Sequence, residues 1–116
     1  MLARALVLLV VLIAGSVWAG SLPLSIVSLT SPVAPFTDAT IQARTAPGAN
    51  CGITVIYKSG PSVAKGLVPK QADAKGDVAW RWRVGSNTTP GRWPIIVACS
   101  KGQDSGRIET TFEVRH

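Results

Sequence analysis

The chain has 116 residues, enough for one domain, and carries 12 basic and 6 acidic side chains, one histidine and two cysteines. This inventory leaves little for acid–base, metal or thiol chemistry, because the only histidine is the terminal His116. The surplus of six positive charges favours anionic partners over cationic ones.

Residues 1–19 read as an export signal. Met1–Arg4 forms a short positive start, and Ala5–Ala14 is an uninterrupted apolar run of ten. Gly15-Ser16 then breaks the run, and Val17-Trp18-Ala19 places modest side chains where a signal peptidase cuts. The alternative is a retained membrane anchor. Ten residues fall short of the roughly 18–20 that span a bilayer, although counting through Trp18 narrows the gap. No cysteine follows the run, which excludes anchoring through a lipidated N-terminal cysteine. Cleavage after Ala19 would leave residues 20–116 as one domain, secreted or held at the cell envelope, with membrane contact only through an uncleaved N-terminal segment. Without Arg4, eleven basic side chains face six acidic ones.

The rest alternates in short segments punctuated by Gly, Pro, Asn and Asp, the pattern of strands and turns. Leu24–Thr30 is a first strand, ended by Pro32 and Pro35. Thr40–Thr45 is a second, with Ile41, Ala43 and Thr45 on one face. Ala46–Asn50 forms a turn. In Cys51–Lys58, the side chains of Cys51, Ile53, Val55 and Tyr57 share a face. Val63–Lys75 is less regular and allows a short edge strand near Leu67-Val68. Asp77–Val84 alternates cleanly, with Val78, Trp80, Trp82 and Val84 inward and Arg81 and Arg83 outward. Gly85–Gly91 is a loop, Arg92–Cys99 faces Trp93, Ile95, Val97 and Cys99 inward, Ser100–Gly106 turns, and Ile108–Val114 is the last strand. No stretch of ten residues after the signal reads as a helix.

About seven strands near ten-residue spacing predict an all-β, immunoglobulin-like sandwich of two sheets with three or four strands each. In that plan Cys51–Lys58 pairs antiparallel with Arg92–Cys99, which brings Cys51 and Cys99 to the same end on the inward parity. A Cys51–Cys99 disulfide follows, suited to an oxidising compartment and to a domain too small to rest on packing alone. The plan also pairs Thr40–Thr45 with Asp77–Val84 and sets Arg44 beside Asp77. The bridge differs from that of antibody domains, where the link joins the two sheets. The predicted core is Ile41, Val55, Tyr57, Trp80, Trp82, Ile95, Val97 and Phe112.

The runs Tyr57–Ser62, Gly66-Leu67, Asp73–Gly76, Trp80–Gly85, Thr89–Gly91 and Trp93–Cys99 together resemble a bacterial extracellular immunoglobulin-like module, over about residues 27–114. Such modules occur in secreted and cell-wall-associated bacterial proteins. The resemblance implies a binding, spacer or adhesive role and carries over no catalytic residue.

The residues themselves add little chemistry. Ser59, Ser62 and Ser86 sit in turns with no histidine to act as base, and Lys65 near Ser62 reads as a polar loop. Asp73 and Asp77 flank a turn, with Lys70 and Lys75 opposing a shared cation, so no metal or cofactor is expected. Trp80, Trp82 and Trp93 share a parity with Val, Ile and Cys and read as core rather than as a sugar platform. Asn87-Thr88-Thr89 matches a glycosylation sequon but reads as a turn.

Lys58, Lys65, Lys70 and Lys75, with Arg81 and Arg83, form the candidate anion-binding set. The expected partners are an anionic cell-wall polymer or polysaccharide. Nucleic acid is disfavoured, because no aromatic interleaves the lysines. The expectation is therefore a non-catalytic extracellular binding or structural module. The alternative is a small secreted inhibitor or effector that presents Gly60–Gly66 and Ser86–Gly91 to a protein partner.

Overall fold

The computed structural model describes residues 20–116, so the expected export segment 1–19 lies outside the described residues. Among the described residues eight strands form and no helix: β1 (Leu24–Leu29), β2 (Asp38–Thr45), β3 (Asn50–Tyr57), β4 (Gly60–Pro61), β5 (Lys70–Gln71), β6 (Asp77–Arg83), β7 (Gly91–Lys101) and β8 (Asp104–Val114). Two sheets pack face to face as an immunoglobulin-like sandwich. One runs in the order β1-β2-β6, and the other in the order β4-β3-β7-β8, with β5 paired to the far end of β3.

The period-2 patterns set the faces. In β2 the buried positions are Ala39, Ile41, Ala43 and Thr45, and in β6 they are Val78, Trp80 and Trp82. The antiparallel register puts Ile41 opposite Trp80 and Arg44 opposite Asp77. Arg44 Nε donates to Asp77 Oδ1 at 2.8 Å, the predicted charge pair. The second sheet contributes Val55, Ile95, Val97, Phe112 and Val114 to the same core. Cys51 lies opposite Cys99 in the β3–β7 register, and the two form a disulfide within one sheet.

Both open sides of the sandwich are closed by chain that belongs fully to neither sheet. On one side Leu22 N–H donates to Ser105 C=O at 2.8 Å, the chain crosses to the other sheet as β1, and Val33 returns to pair with Val114. On the other side, residues 62–69 drape along β6. Trp80 Nε1 donates to Val68 C=O at 2.8 Å, and Ala64 and Leu67 pack on the core. Gly66, at φ 100°, lies so close to β6 that a Cβ would overlap the Arg81 carbonyl oxygen.

Four expectations need correction. No strand forms at Leu67-Val68: prolines at 61 and 69 and the left-handed Gly66 interrupt pairing, so only the dipeptides of β4 and β5 bond to β3. The second sheet consequently has five strands rather than three or four. The turn expected at Ser100–Gly106 shrinks to Gly102-Gln103, because β7 and β8 stay paired out to Lys101 and Asp104. Tyr57, placed in the core by parity, is half-buried, whereas the other seven predicted core residues are fully buried.

A polar cleft at one end of the sandwich

Tyr57 stands at the end of β3, where the two sheets part. Its ring packs 6.0 Å from Phe112, which meets Trp82 edge-on at 5.8 Å. Burying an indole N–H without a partner costs free energy, and the Tyr57 hydroxyl meets that need: it accepts from Trp82 Nε1 at 3.1 Å. Accepting that bond leaves the phenolic proton free to donate outward. Burial pushes the Tyr57 pKa above its ordinary value, opposed by the weaker effect of the Trp82 hydrogen bond.

Outward from this aromatic base opens a cleft of about 680 Å³ lined by Tyr57, Lys58, Ser59, Gly85, Ser86, Asn87, Thr88 and Thr89. One wall is the turn after β3; the other is the loop that carries the chain from β6 to β7. That loop is tied down at several points. Val84 N–H donates to Thr37 C=O at 2.9 Å, Thr88 N–H to Gly85 C=O at 3.2 Å, and Trp93 Nε1 to Thr89 C=O at 2.8 Å. Trp93, expected inward, is only partly buried, because its indole lies against Gly91 and holds this loop.

Among the described residues, the side chains of Lys58, Ser59, Ser86, Asn87, Thr88 and Thr89 make no hydrogen bond within the protein. The residues lining the cleft therefore carry five hydroxyls, one carboxamide and one ammonium. No histidine, cysteine or carboxylate lines it.

The six cations expected to bind anions do not gather at this cleft. Lys58 is in it. Lys75 lies at the opposite end, in the turn before β6, where its backbone N–H donates to Asp73 Oδ1 at 2.9 Å. Lys65 lies in the draped segment, and Lys70 Nζ reaches across to Ala79 C=O at 2.9 Å. Arg81 and Arg83 project from the outer face of β6 and share Asp38, at 3.0 and 3.2 Å. Their two hydrogen bonds, Arg83 first, hold the Asp38 pKa below the usual carboxylate range.

Arg44, Arg81, Arg83, Arg107 and Arg115 are each ion-paired, whereas Arg92 and all the lysines make no ion pair among the described residues. Asp73 and Asp77 do not face a common cation site. Asp73 caps the turn by accepting from the N–H groups of Asp77 and Lys75, which lowers its pKa, and Asp77 is taken by Arg44.

The sequence places Ser59 in a turn and Ser86–Gly91 in a loop that the alternative reading presents to a protein partner, without bringing the two together. The available signal was topological: the turn after β3 and the loop before β7 must emerge at the same end once β3 and β7 pair antiparallel.

No protein-family model matches the chain, and no curated protein matches it. Among solved structures it is similar to the sulfur carrier protein SoxY from Chlorobium limicola f thiosulfatophilum. The TM-score is 0.51 at 19% sequence identity, covering 90% of this chain and 93% of that one. The likeness lies in the fold.

Proposed function

We propose that this domain is a non-catalytic extracellular binding module that engages anionic cell-envelope material through its lysines. The observation that carries the reading is the division of charge. Five arginines sit in ion pairs, while Arg92 and the exposed Lys58, Lys65, Lys70, Lys75 and Lys101 make no ion pair among the described residues. Exposed lysines of this kind attract polyanions through long-range, salt-screened fields. The disulfide is compatible with an oxidising compartment outside the cytoplasm. Sulfur carriage, the role named for SoxY, has less support here: the two cysteines are bonded to each other, so no thiol is free to bear a sulfur group.

Retention of residues 20–116 on immobilised polygalacturonate tests this reading. The protein should elute as salt rises and be unretained near 1 M, where the Debye length is about 3 Å. Replacing Lys65, Lys70 and Lys75 together by Gln should move elution to lower salt. Retention that survives about 1 M salt, or that ignores the three substitutions, overturns it.

A further inference from the structure

We propose that the cleft between the β3 turn and the β6–β7 loop is a subsite for a single uronic-acid unit of an acidic polysaccharide. This rests on the reading above that the partner is an anionic polymer, and adds where and how one residue of it is read. The cleft volume of about 680 Å³ falls within the roughly 300–1,000 Å³ range of small-molecule sites.

The lining selects the chemistry. Serine, threonine and tyrosine hydroxyls donate and accept at once, and Asn87 offers both functions on one planar group. Such a surface matches a ligand that also donates and accepts around its rim, as a sugar ring does. The lining also exposes apolar surface, which the apolar face of a pyranose ring can cover.

The charge count narrows the class further. Lys58 is the one cation lining the cleft, and no carboxylate lines it to oppose an anion. A uronic acid carries one carboxylate per ring, which a single ammonium can satisfy. A phosphate-dense ligand would call for several cations converging on one point, whereas Lys65, Lys70 and Lys75 are spread along the side and far end of the domain.

The site is also held in shape before any ligand arrives. Trp82 fixes the Tyr57 hydroxyl at 3.1 Å, and Trp93 fixes Thr89 at 2.8 Å. A donor already engaged as an acceptor is polarised toward its next partner, and a tethered loop loses less freedom on binding. Lys58 would take the carboxylate, and Tyr57 with the loop side chains would take the ring hydroxyls.

The test is 15N-resolved NMR of residues 20–116 titrated with short oligogalacturonides and, separately, with uncharged galactose oligomers. Shifts should be largest at residues 57–59 and 85–89, with the uncharged oligomers binding about tenfold more weakly. Lys58→Gln should weaken the uronide by about tenfold and leave the uncharged oligomer unchanged. Asn87→Ala, in an exposed loop, should weaken both, and an unshifted spectrum elsewhere reports that each variant is folded. Shifts centred on Lys65, Lys70 or Lys75 overturn the proposal, as do an absence of shifts at about 10 mM ligand or an unaffected Lys58→Gln. Salt-labile retention on the polymer without cleft shifts overturns the subsite and leaves the envelope reading standing. Oligouronide shifts in the cleft without salt-labile retention uphold the subsite and remove the broader lysine reading.

Discussion

Replacing Cys51 and Cys99 together by alanine should act mainly on the unfolded chain. The bridge spans a sequence separation of 48, and the loop-entropy relation gives about 14 cal/mol/K for a loop of that length, or about 4 kcal/mol at room temperature. Both sulfurs are buried, and their lost packing adds about 1 kcal/mol each. Domains of this size are stable by roughly 5–15 kcal/mol, so the variant should sit close to the folding threshold.

The native strands should nonetheless keep their places. β3 and β7 are held by register pairs running from Asn50–Ser100 to Val55–Ile95, of which Cys51–Cys99 is only one. Urea unfolding followed by tryptophan fluorescence reads both effects. With a slope of about 1–2 kcal/mol/M, a total loss of about 6 kcal/mol should lower the midpoint by roughly 3–6 M, and the slope itself should rise as the unlinked chain expands. A midpoint shift below about 0.5 M would falsify the loop-entropy argument. Altered cross-strand contacts between β3 and β7 in the NMR spectrum of the folded variant would refute the claim that β-pairing, not the bridge, places the strands.

Three further outcomes follow from single residues. Tyr57 is the chain's only tyrosine, so absorbance at 295 nm should titrate as one group with its midpoint above the ordinary value of about 10. Because that shift is upward, its contribution to stability is complete below about pH 10 and is lost as pH rises through the folded value; a midpoint at or below 10 would contradict the burial argument. Gly76→Ala should cost about 2–4 kcal/mol, since φ is 86° and the new methyl would overlap the Thr45 carbonyl. Gly102→Ala, also at positive φ but in open space, should cost only about 1 kcal/mol, and equal losses in chemical denaturation would refute the distinction. Asp38 and Asp73 have lowered pKa values, so their stabilisation is present above the ordinary carboxylate value near 3.9 and is lost as pH falls through their folded values. Denaturation midpoints should drop below about pH 4, and Asp38→Asn should flatten that drop; an unchanged slope would show that the Arg81 and Arg83 pairings contribute nothing.

The cleft divides into what was legible and what was not. Its loops could be recognised from Ser59-Gly60-Pro61-Ser62 and Gly85–Gly91, because Gly, Pro and Ser mark turns locally. Tyr57 was misjudged because alternation reports which face a side chain occupies, not whether the opposite sheet still covers that height. Trp93 shares the inward parity of its strand yet is only partly buried, for the same reason. Its indole N–H found a carbonyl in the adjoining loop, a partner that no periodicity encodes.

The sequence by itself determined the faces and the pairings. Alternation in Asp77–Val84 buries Trp80 and Trp82, and antiparallel pairing of Cys51–Lys58 with Arg92–Cys99 brings the two cysteines opposite each other. These features repeat every two residues and depend only on neighbours along the strand and its partner. Tertiary structure alone decided how the sandwich is closed at its sides and opened at its end. The draped segment 62–69, the crossing of the chain at Pro23 and its return at Val33, and the placing of Lys58 and Asn87 on one cleft arise from contacts between segments distant in sequence. Their partners are single carbonyls and side chains rather than a repeating pattern, so they exist only once both sheets are packed.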